Sequence, residues 1–264
     1  MVSRDDKILT GKDGAVGTLV FNNPAKLNAI SLDMWAEVRP RLGELADDDA
    51  IRVIVLTGAG EKAFISGADI SEFEGVCATP EGQDRFRRAI RDAFAAIHDC
   101  PKPTIAMIRG YCMGGGLGIA SCCDLRICGA DARFANPAGR LGLGYEYAGL
   151  ERMVDIVGPV FTKEIFLTAR RFDAARALAM GLVNCVVPVG ELEATVRQYA
   201  ADIAANAPLT IETAKAAINA IAKDPADRDL AKIEAMTKAC FDSADYAEGR
   251  KAFMEKRKPV FTGR

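Results

Sequence analysis

Short apolar runs and amphipathic stretches take turns along the first half of the chain. Apolar runs at 16–21, 53–56 and 104–108 are bounded by glycine, proline or asparagine and predict strands, the last two buried on both faces. Between them, apolar residues recur at helical spacing behind Ser31, a typical N-terminal cap, and behind Pro80. This order of strands and helices predicts an α/β core with parallel strands and helical crossovers.

The two ends of the chain differ from this middle. Residues 8–9 and the first apolar run lie on either side of a turn sequence at 11–14 and predict a hairpin. Beyond about Gly158 the pattern is nearly all helical, and no spacer rich in Pro, Gly and Ser precedes it. We therefore predict a core in residues 1–200 and a helical region in 201–264.

Charge, hydropathy and cysteine spacing argue against several classes of protein. The 264 residues carry 34 Lys and Arg against 36 Asp and Glu, a net charge of −2, which argues against a nucleic-acid-coating protein. No apolar run reaches the roughly 18 residues that a membrane span needs, and the N-terminus does not resemble a secretory signal. Eight cysteines without a CxxC pair indicate free, mostly buried thiols in a reducing cytoplasm rather than a zinc site.

The sequence gives little support to a catalytic histidine or to a dinucleotide-binding site. His98 is the only histidine, and its place at the end of a helical pattern predicts a helix C-terminal cation or a solvated side chain rather than a catalytic base. Residues 58–63 follow a buried strand and fit the GxGxxA dinucleotide fingerprint, but no helical pattern continues from them. We therefore disfavour a dinucleotide site.

The triplet Gly114-Gly115-Gly116 is a stronger candidate because it lies between a predicted strand and a predicted helix. Backbone amides at a helix N-terminus bind a phosphate or a carbonyl oxygen that gains negative charge. A phosphate loop would continue with Lys and then Ser or Thr, which this sequence lacks, so the oxyanion role is favoured. Close packing of the strand against the helix explains the glycines equally well.

Five segments resemble those of the enoyl-CoA hydratase/isomerase, or crotonase, family. The segments are NNPAKLNA at 22–29, AFISGADI at 63–70, GYCMGGG at 110–116, AMGLV at 179–183 and FMEKR at 253–257. They occur in order over essentially the whole chain. The resemblance implies a spiral of ββα repeats with an acyl-CoA site in the core region, followed by a helical trimerisation region.

Further expectations come from the resemblance alone. It implies a coenzyme A thioester as the small-molecule substrate, no metal or redox cofactor, and a cytoplasmic homotrimer or dimer of trimers that binds neither nucleic acid nor membrane. The backbone N–H groups of Ala68 and Gly115 are expected to hold the thioester oxygen. Lys26, Ala29 and Lys256 are expected near the coenzyme A, the last from the same or a neighbouring subunit.

The sequence departs from this family at both positions of the hydratase glutamates. These positions are Gly118 and Ala138, and neither residue type can transfer a proton. Glu146, in the segment LGLGYE, resembles the proton-carrying glutamate of the peroxisomal-type Δ3,Δ2-enoyl-CoA isomerases, and aryl-CoA dehalogenases place a nucleophilic carboxylate at the same offset. A solvated loop residue is the simplest alternative for Glu146.

These observations predict enoyl-CoA double-bond isomerisation, with Glu146 moving a proton between C2 and C4 of the acyl chain. Asp69, Glu72 and Glu74 are less favoured proton carriers. Two alternatives stay open: a hydratase that uses a different carboxylate, and a catalytically silent acyl-CoA-binding protein.

Overall fold

The computed structural model, which describes residues 6–72, 75 and 77–264, places the strands of these residues in two sheets. The strands are β1 (Ile8–Asp13), β2 (Val16–Phe21), β3 (Val53–Gly58), β4 (Ala63–Ile65), β5 (Thr104–Ile108), β6 (Tyr111–Met113), β7 (Leu125–Gly129), β8 (Arg133–Ala135), β9 (Phe172–Asp173) and β10 (Cys185–Val187). The larger sheet has the order β1-β2-β3-β5-β7-β10, and the smaller one has the order β4-β6-β8-β9.

Consecutive strands of one ββα unit join different sheets. β3, β5 and β7 pair in parallel in the larger sheet, and the strand that follows each of them, β4, β6 or β8, joins a parallel ladder in the smaller sheet. This topology confirms the predicted α/β spiral of ββα repeats. Because parallel strands end at the same edge of a sheet, the loops after β4 and β6 are brought together.

Helices cover the sheets and form the C-terminal part of the chain. They are α1 (Leu32–Ala46), α2 (Pro80–His98), α3 (Gly115–Cys122), α4 (Ala138–Leu141), α5 (Tyr147–Thr168), α6 (Ala174–Ala179), α7 (Leu192–Ala204), α8 (Pro208–Ile221), α9 (Leu230–Asp242) and α10 (Ala244–Met254). As predicted, the Ser31 hydroxyl caps α1 by accepting the Met34 N–H at 3.3 Å. None of the helices in the described residues combines the length and apolar character that crossing a bilayer requires.

The core lies between the larger sheet and the helices α1 and α2. Trp35, Val38 and Leu42 on α1 are fully buried, as their helical spacing predicts. The Trp35 ring meets Phe94 of α2 edge to face, with centroids 5.7 Å apart. Burial of each large apolar side chain stabilises the fold by roughly 1.5–3 kcal/mol. The Trp35–Phe94 contact therefore holds α2 against α1.

Several elements differ from the sequence prediction. β1 continues through Asp13, so the turn predicted at 11–14 is confined to residues 14–15. The chain beyond Gly158 is not all helical, because β9 and β10 complete the two sheets. Strands of two and three residues are too short to produce a readable alternation. α5 begins at Tyr147, well before the predicted start, and is kinked at Gly158.

The region boundary predicted near residue 200 stays a prediction. α7 belongs with the core, since Leu192, Val196 and Ala200 are buried against the larger sheet. The helices α8, α9 and α10 pack chiefly on one another. Lys215 of α8 ties them to the core by donating to the Asp124 carboxylate at 2.7 Å.

All eight cysteines are free, and five of them are buried, as expected. Burial raises the pKa of both Cys122 and Cys128 to about 12. Such thiols stay protonated and unreactive at neutral pH, so they act as small core residues.

His98 differs from its prediction as a helix C-terminal cation or solvated side chain. It does end α2, but its side chain is only 19 % exposed and its Nε2 lies 2.8 Å from the Arg152 guanidinium of α5. Burial, and then the charge of Arg152, lower the pKa of His98. The ring is therefore a neutral acceptor that links α2 to α5.

We expect the free energy of unfolding to decrease as the pH falls below about 6.5, the usual histidine pKa, because the unfolded chain takes up a proton at His98 before the folded protein does. Above that pH the contribution is fully present. His98→Gln keeps an acceptor oxygen for Arg152 and should remove this component. Urea unfolding of both proteins across this pH range measures it, and equal pH dependence in the two would contradict the assignment.

Candidate active site

Two loops that leave the smaller sheet at the same edge form the candidate site. Ala68 follows β4, and Gly115 follows β6. A Cβ atom built on Gly115 would lie 3.8 Å from the Ala68 nitrogen, so the two residues are direct neighbours. Ala68 also bridges to Ile30, and this contact fixes its loop against the start of α1.

The N–H groups of these two residues are available to a ligand. Within the described residues, neither Ala68 nor Gly115 donates its N–H to a protein acceptor. The adjacent groups are occupied: Asp69 N–H donates to Ile30 O and Gly114 N–H donates to Ala135 O, both at 2.9 Å. Two neighbouring free donors, one at the positive end of the α3 dipole, suit a carbonyl oxygen that gains negative charge.

At each position of the triplet a different steric constraint favours glycine. Gly114 adopts a φ of 49° that favours glycine. A Cβ on Gly115 would lie 2.8 Å from Cζ2 of Trp35, and a Cβ on Gly116 would overlap the Ile65 carbonyl oxygen. Close packing therefore explains Gly116, whereas Gly115 combines close packing with a free N–H.

The two positions that lack hydratase glutamates differ in their surroundings. A Cβ on Gly118 would overlap the tip of the Phe94 ring. Ala138 begins α4, and its N–H donates to the Asn136 side-chain oxygen at 3.0 Å. The Phe94 ring thus fills the space that a side chain at Gly118 would enter.

Glu146 is exposed and immediately precedes α5. Its carboxylate makes no hydrogen bond or ion pair with any residue in the described ranges. It adds to the raised pKa of Arg87, after the larger effect of Asp84. Arg87 belongs to α2, so the Glu146 carboxylate lies within electrostatic range of that helix.

The other acids considered as proton carriers have structural partners. Asp69 is buried and accepts from Lys26 Nζ at 2.7 Å and from the Ser71 hydroxyl at 2.6 Å. The Lys26 hydrogen bond, followed by that of Ser71, lowers the pKa of Asp69. Glu72 accepts the Leu32 N–H at 2.8 Å, at the start of α1. Both carboxylates therefore organise loops, while Glu74 lies outside the described residues.

The residues predicted to contact coenzyme A fall into two places. Lys26 and Ala29 belong to the loop before α1, and the bond from Lys26 to Asp69 joins that loop to the one bearing Ala68. Lys256 lies beyond α10, and no hydrogen bond or ion pair among the described residues joins it to the other two. Their contact with coenzyme A stays a prediction.

Comparison with known proteins assigns the family. The profile described as "Enoyl-CoA hydratase/isomerase" matches residues 11–264. The chain belongs to this enzyme family. It is 36 % identical to a short-chain-enoyl-CoA hydratase from Clostridium acetobutylicum over 96 % of both chains, and 34 % identical to a peroxisomal Δ(3,5)-Δ(2,4)-dienoyl-CoA isomerase from Arabidopsis thaliana over 94 % of this chain and 93 % of that one.

A solved structure of the enoyl-CoA hydratase/isomerase family has the same fold. A crystal structure of an enoyl-CoA hydratase/carnithine racemase from Magnetospirillum magneticum superposes with a TM-score of 0.92 at 38 % identity, covering 98 % of this chain and 96 % of that one. The named relatives include both hydratases and isomerases, so membership gives the enoyl-CoA chemistry but not the reaction.

One residue that holds the site in this family member was not singled out from the sequence. Asn28 is buried with a φ of 57°, and its amide donates to the carbonyl oxygens of Ala59 and Ala63 at 2.9 Å each. Its side-chain oxygen accepts the Asn23 N–H at 3.0 Å. The signal was present, because asparagine is enriched at left-handed positions in loops.

The sequence pattern also gives no role to Tyr145, which precedes Glu146. Its ring packs edge to face on Phe166 with centroids 4.8 Å apart. Burial raises the pKa of Tyr145 to about 12, and the neighbouring Asn136 amide opposes this only in part. The phenol therefore stays protonated and serves to anchor the segment that carries Glu146.

We expect Gly118→Ala to destabilise the protein by about 1–3 kcal/mol, because its methyl group overlaps the Phe94 ring. In a Phe94→Leu background, which removes the ring tip, the same substitution should cost little. Urea unfolding of the four proteins gives the coupling energy. Gly43→Ala, a helical site with open space, is the control and should stabilise by about 0.5–1 kcal/mol. Additive effects at 118 and 94 would refute the contact.

Proposed function

We propose that this member of the family isomerises the double bond of an enoyl-CoA thioester, with Glu146 as the proton carrier. One observation carries the proposal: Asp69 and Glu72 are bound to structural partners, whereas the Glu146 carboxylate makes no hydrogen bond or ion pair within the described residues. An acid that holds a loop cannot exchange its proton without releasing that loop. Glu146 has no such duty.

The free N–H groups of Ala68 and Gly115 supply the electrostatic part of the reaction. When a base removes the C2 proton of a 3-enoyl-CoA, negative charge develops on the thioester oxygen. Donors already in place stabilise that charge without reorganisation. Glu146 takes the C2 proton, and the protonated Glu146 returns it at C4, so that the double bond moves and no atom is gained or lost.

Hydration is the second candidate, because many relatives are named hydratases. It requires a base to deprotonate water for attack at C3 and an acid to protonate C2. Gly118 and Ala138 provide neither group, and Phe94 fills the space beside Gly118. A hydratase built on this chain would need Glu146 to do both tasks. A silent acyl-CoA-binding protein would need none of these groups.

We expect a 3-enoyl-CoA to be converted to a 2-enoyl-CoA of the same mass, and a 2-enoyl-CoA to gain water only slowly. Glu146→Gln should lower kcat by about 10²–10⁴-fold, because the amide cannot carry the proton. Liquid chromatography with mass spectrometry separates isomerisation from hydration. Glu151→Gln changes an exposed glutamate of the same helix and should leave the rate unchanged.

Three outcomes would refute this reaction. Full isomerase activity in Glu146→Gln would remove the carboxylate from the mechanism. Rapid addition of water to the 2-enoyl-CoA would instead assign a hydratase, and conversion of neither thioester would assign a binding protein.

We expect Gly115→Pro to reduce turnover by about 10²–10³-fold, because proline deletes the N–H that faces the thioester oxygen. The position tolerates proline in the helix itself, since Gly115 is the first residue of α3. Gly115→Ala is the matched control: it meets the same Trp35 ring but retains the N–H. Equal turnover of the two variants would show that the N–H does not contribute.

Apolar side chains on the C-terminal helices support assembly into a homotrimer or a dimer of trimers. Six of them are more than half exposed: Ile218, Ile221, Leu230, Phe241, Phe253 and Met254. Large exposed apolar groups that cluster on neighbouring helices usually mark a protein interface.

Light scattering at micromolar concentration should give three or six times the monomer mass. Ile218→Glu with Ile221→Glu places two charges on α8 and should shift the protein towards the monomer. Val154→Glu, at a less exposed apolar site on α5, is the control for loss of folding. A wild-type monomer would contradict the assembly.

A further inference from the structure

A second cleft, of about 510 Å³, opens at the opposite end of the strands of the smaller sheet. It is lined by Tyr111, Arg133, Arg171, Phe172, Asp173 and Arg176. Tyr111 and Arg133 are the first residues of β6 and β8, whereas the candidate active site follows the last residues of β4 and β6. The cleft is therefore separate from the acyl-CoA site and independent of the proposed function.

The sheet register sets the lining residues side by side. Tyr111 pairs with Arg133, and Arg133 pairs with Asp173, so these three side chains project from one face of adjacent strands. The Arg171 guanidinium stands over the Tyr111 ring, 5.9 Å from its centroid. Phe172 stacks on Phe134 behind them. Arg133 and Arg171 therefore lie above the paired strands, with the stacked Phe134 and Phe172 rings behind them.

Positive charge in this cleft is only partly balanced. The Arg176 guanidinium pairs with Glu164 at 2.9 Å, whereas the Asp173 carboxylate accepts the backbone N–H of Arg176 at 2.8 Å as the cap of α6. Arg133 donates to backbone carbonyl oxygens, of which that of Ala132 is nearest at 2.9 Å. Within the ranges that the structure describes, neither Arg133 nor Arg171 has an ion pair with a carboxylate.

We propose that this cleft binds a phosphate dianion, free or carried as a phosphate monoester. Two guanidinium forks without acidic partners match the charge and the spread of oxygen atoms of a dianionic phosphate. A carboxylate monoanion would satisfy only one of the two forks.

Isothermal titration of the full-length protein, at constant ionic strength, tests the site with inorganic phosphate, adenosine monophosphate and acetate. We expect phosphate to bind once per chain and acetate to bind at least about tenfold more weakly. Arg133→Gln and Arg171→Gln should each weaken phosphate binding by about tenfold or more. Arg170→Gln removes an adjacent exposed arginine outside the cleft and should bind like the wild type. Tighter binding of the nucleotide than of free phosphate would assign a monoester as the ligand.

Equal phosphate binding by the wild type, Arg133→Gln and Arg171→Gln would overturn the proposal, as would equal affinity for phosphate and acetate. Circular dichroism of each variant confirms that it is folded. Absence of phosphate binding to the wild type would also overturn it. If Arg171→Glu then lowered the mass measured by light scattering, the cleft would be part of a contact between copies of the chain.

Discussion

The parallel pairing of β4 with β6 is the interaction on which the candidate active site depends. These short strands end at one edge of the smaller sheet, and the loops that leave them carry Ala68 and Gly115 as neighbours. The first N–H groups beyond the strands, those of Ser66 and Gly114, donate to backbone carbonyl oxygens, and those of Ala68 and Gly115 follow without a protein acceptor in the described residues. Packing then selects the residues: the Ile65 carbonyl oxygen leaves room only for glycine at 116, and the Trp35 ring crowds a side chain at 115.

Polar side chains around this edge are divided between holding the loops and remaining free. Asn28 donates to backbone carbonyl oxygens, Asp69 accepts from Lys26, and Glu72 accepts the Leu32 N–H; these bonds fix the geometry of the two loops. A buried polar group left unpaired would cost about 1–3 kcal/mol, so these side chains are committed to their partners. Glu146, exposed at the start of α5, makes no side-chain hydrogen bond within the described residues. Among the candidate acids that the structure describes, Glu146 can therefore move without disturbing a loop.

The parts predicted from the sequence are those with a strong local signal. Ser31, Pro80 and the helical spacing of Trp35, Val38 and Leu42 placed α1 and α2, and the buried run at 53–56 placed β3. β9 and β10 escaped because strands of two or three residues have no period. His98 was misjudged because its partner, Arg152, is distant in sequence and approaches only in the folded chain. The overlap of Phe94 with a side chain at 118 is likewise a tertiary contact that no local pattern contains.

That overlap also constrains how this chain can change by mutation. Position 118 and position 94 are sterically coupled, so a larger residue at 118 is tolerated only after the ring at 94 has shrunk. Enlarging residue 118 first gives an overpacked protein, which typically loses about 1–3 kcal/mol of stability. Replacing Phe94 by a smaller residue first leaves a cavity. The Phe94 ring thus opposes the gain of a glutamate at 118 by a single substitution.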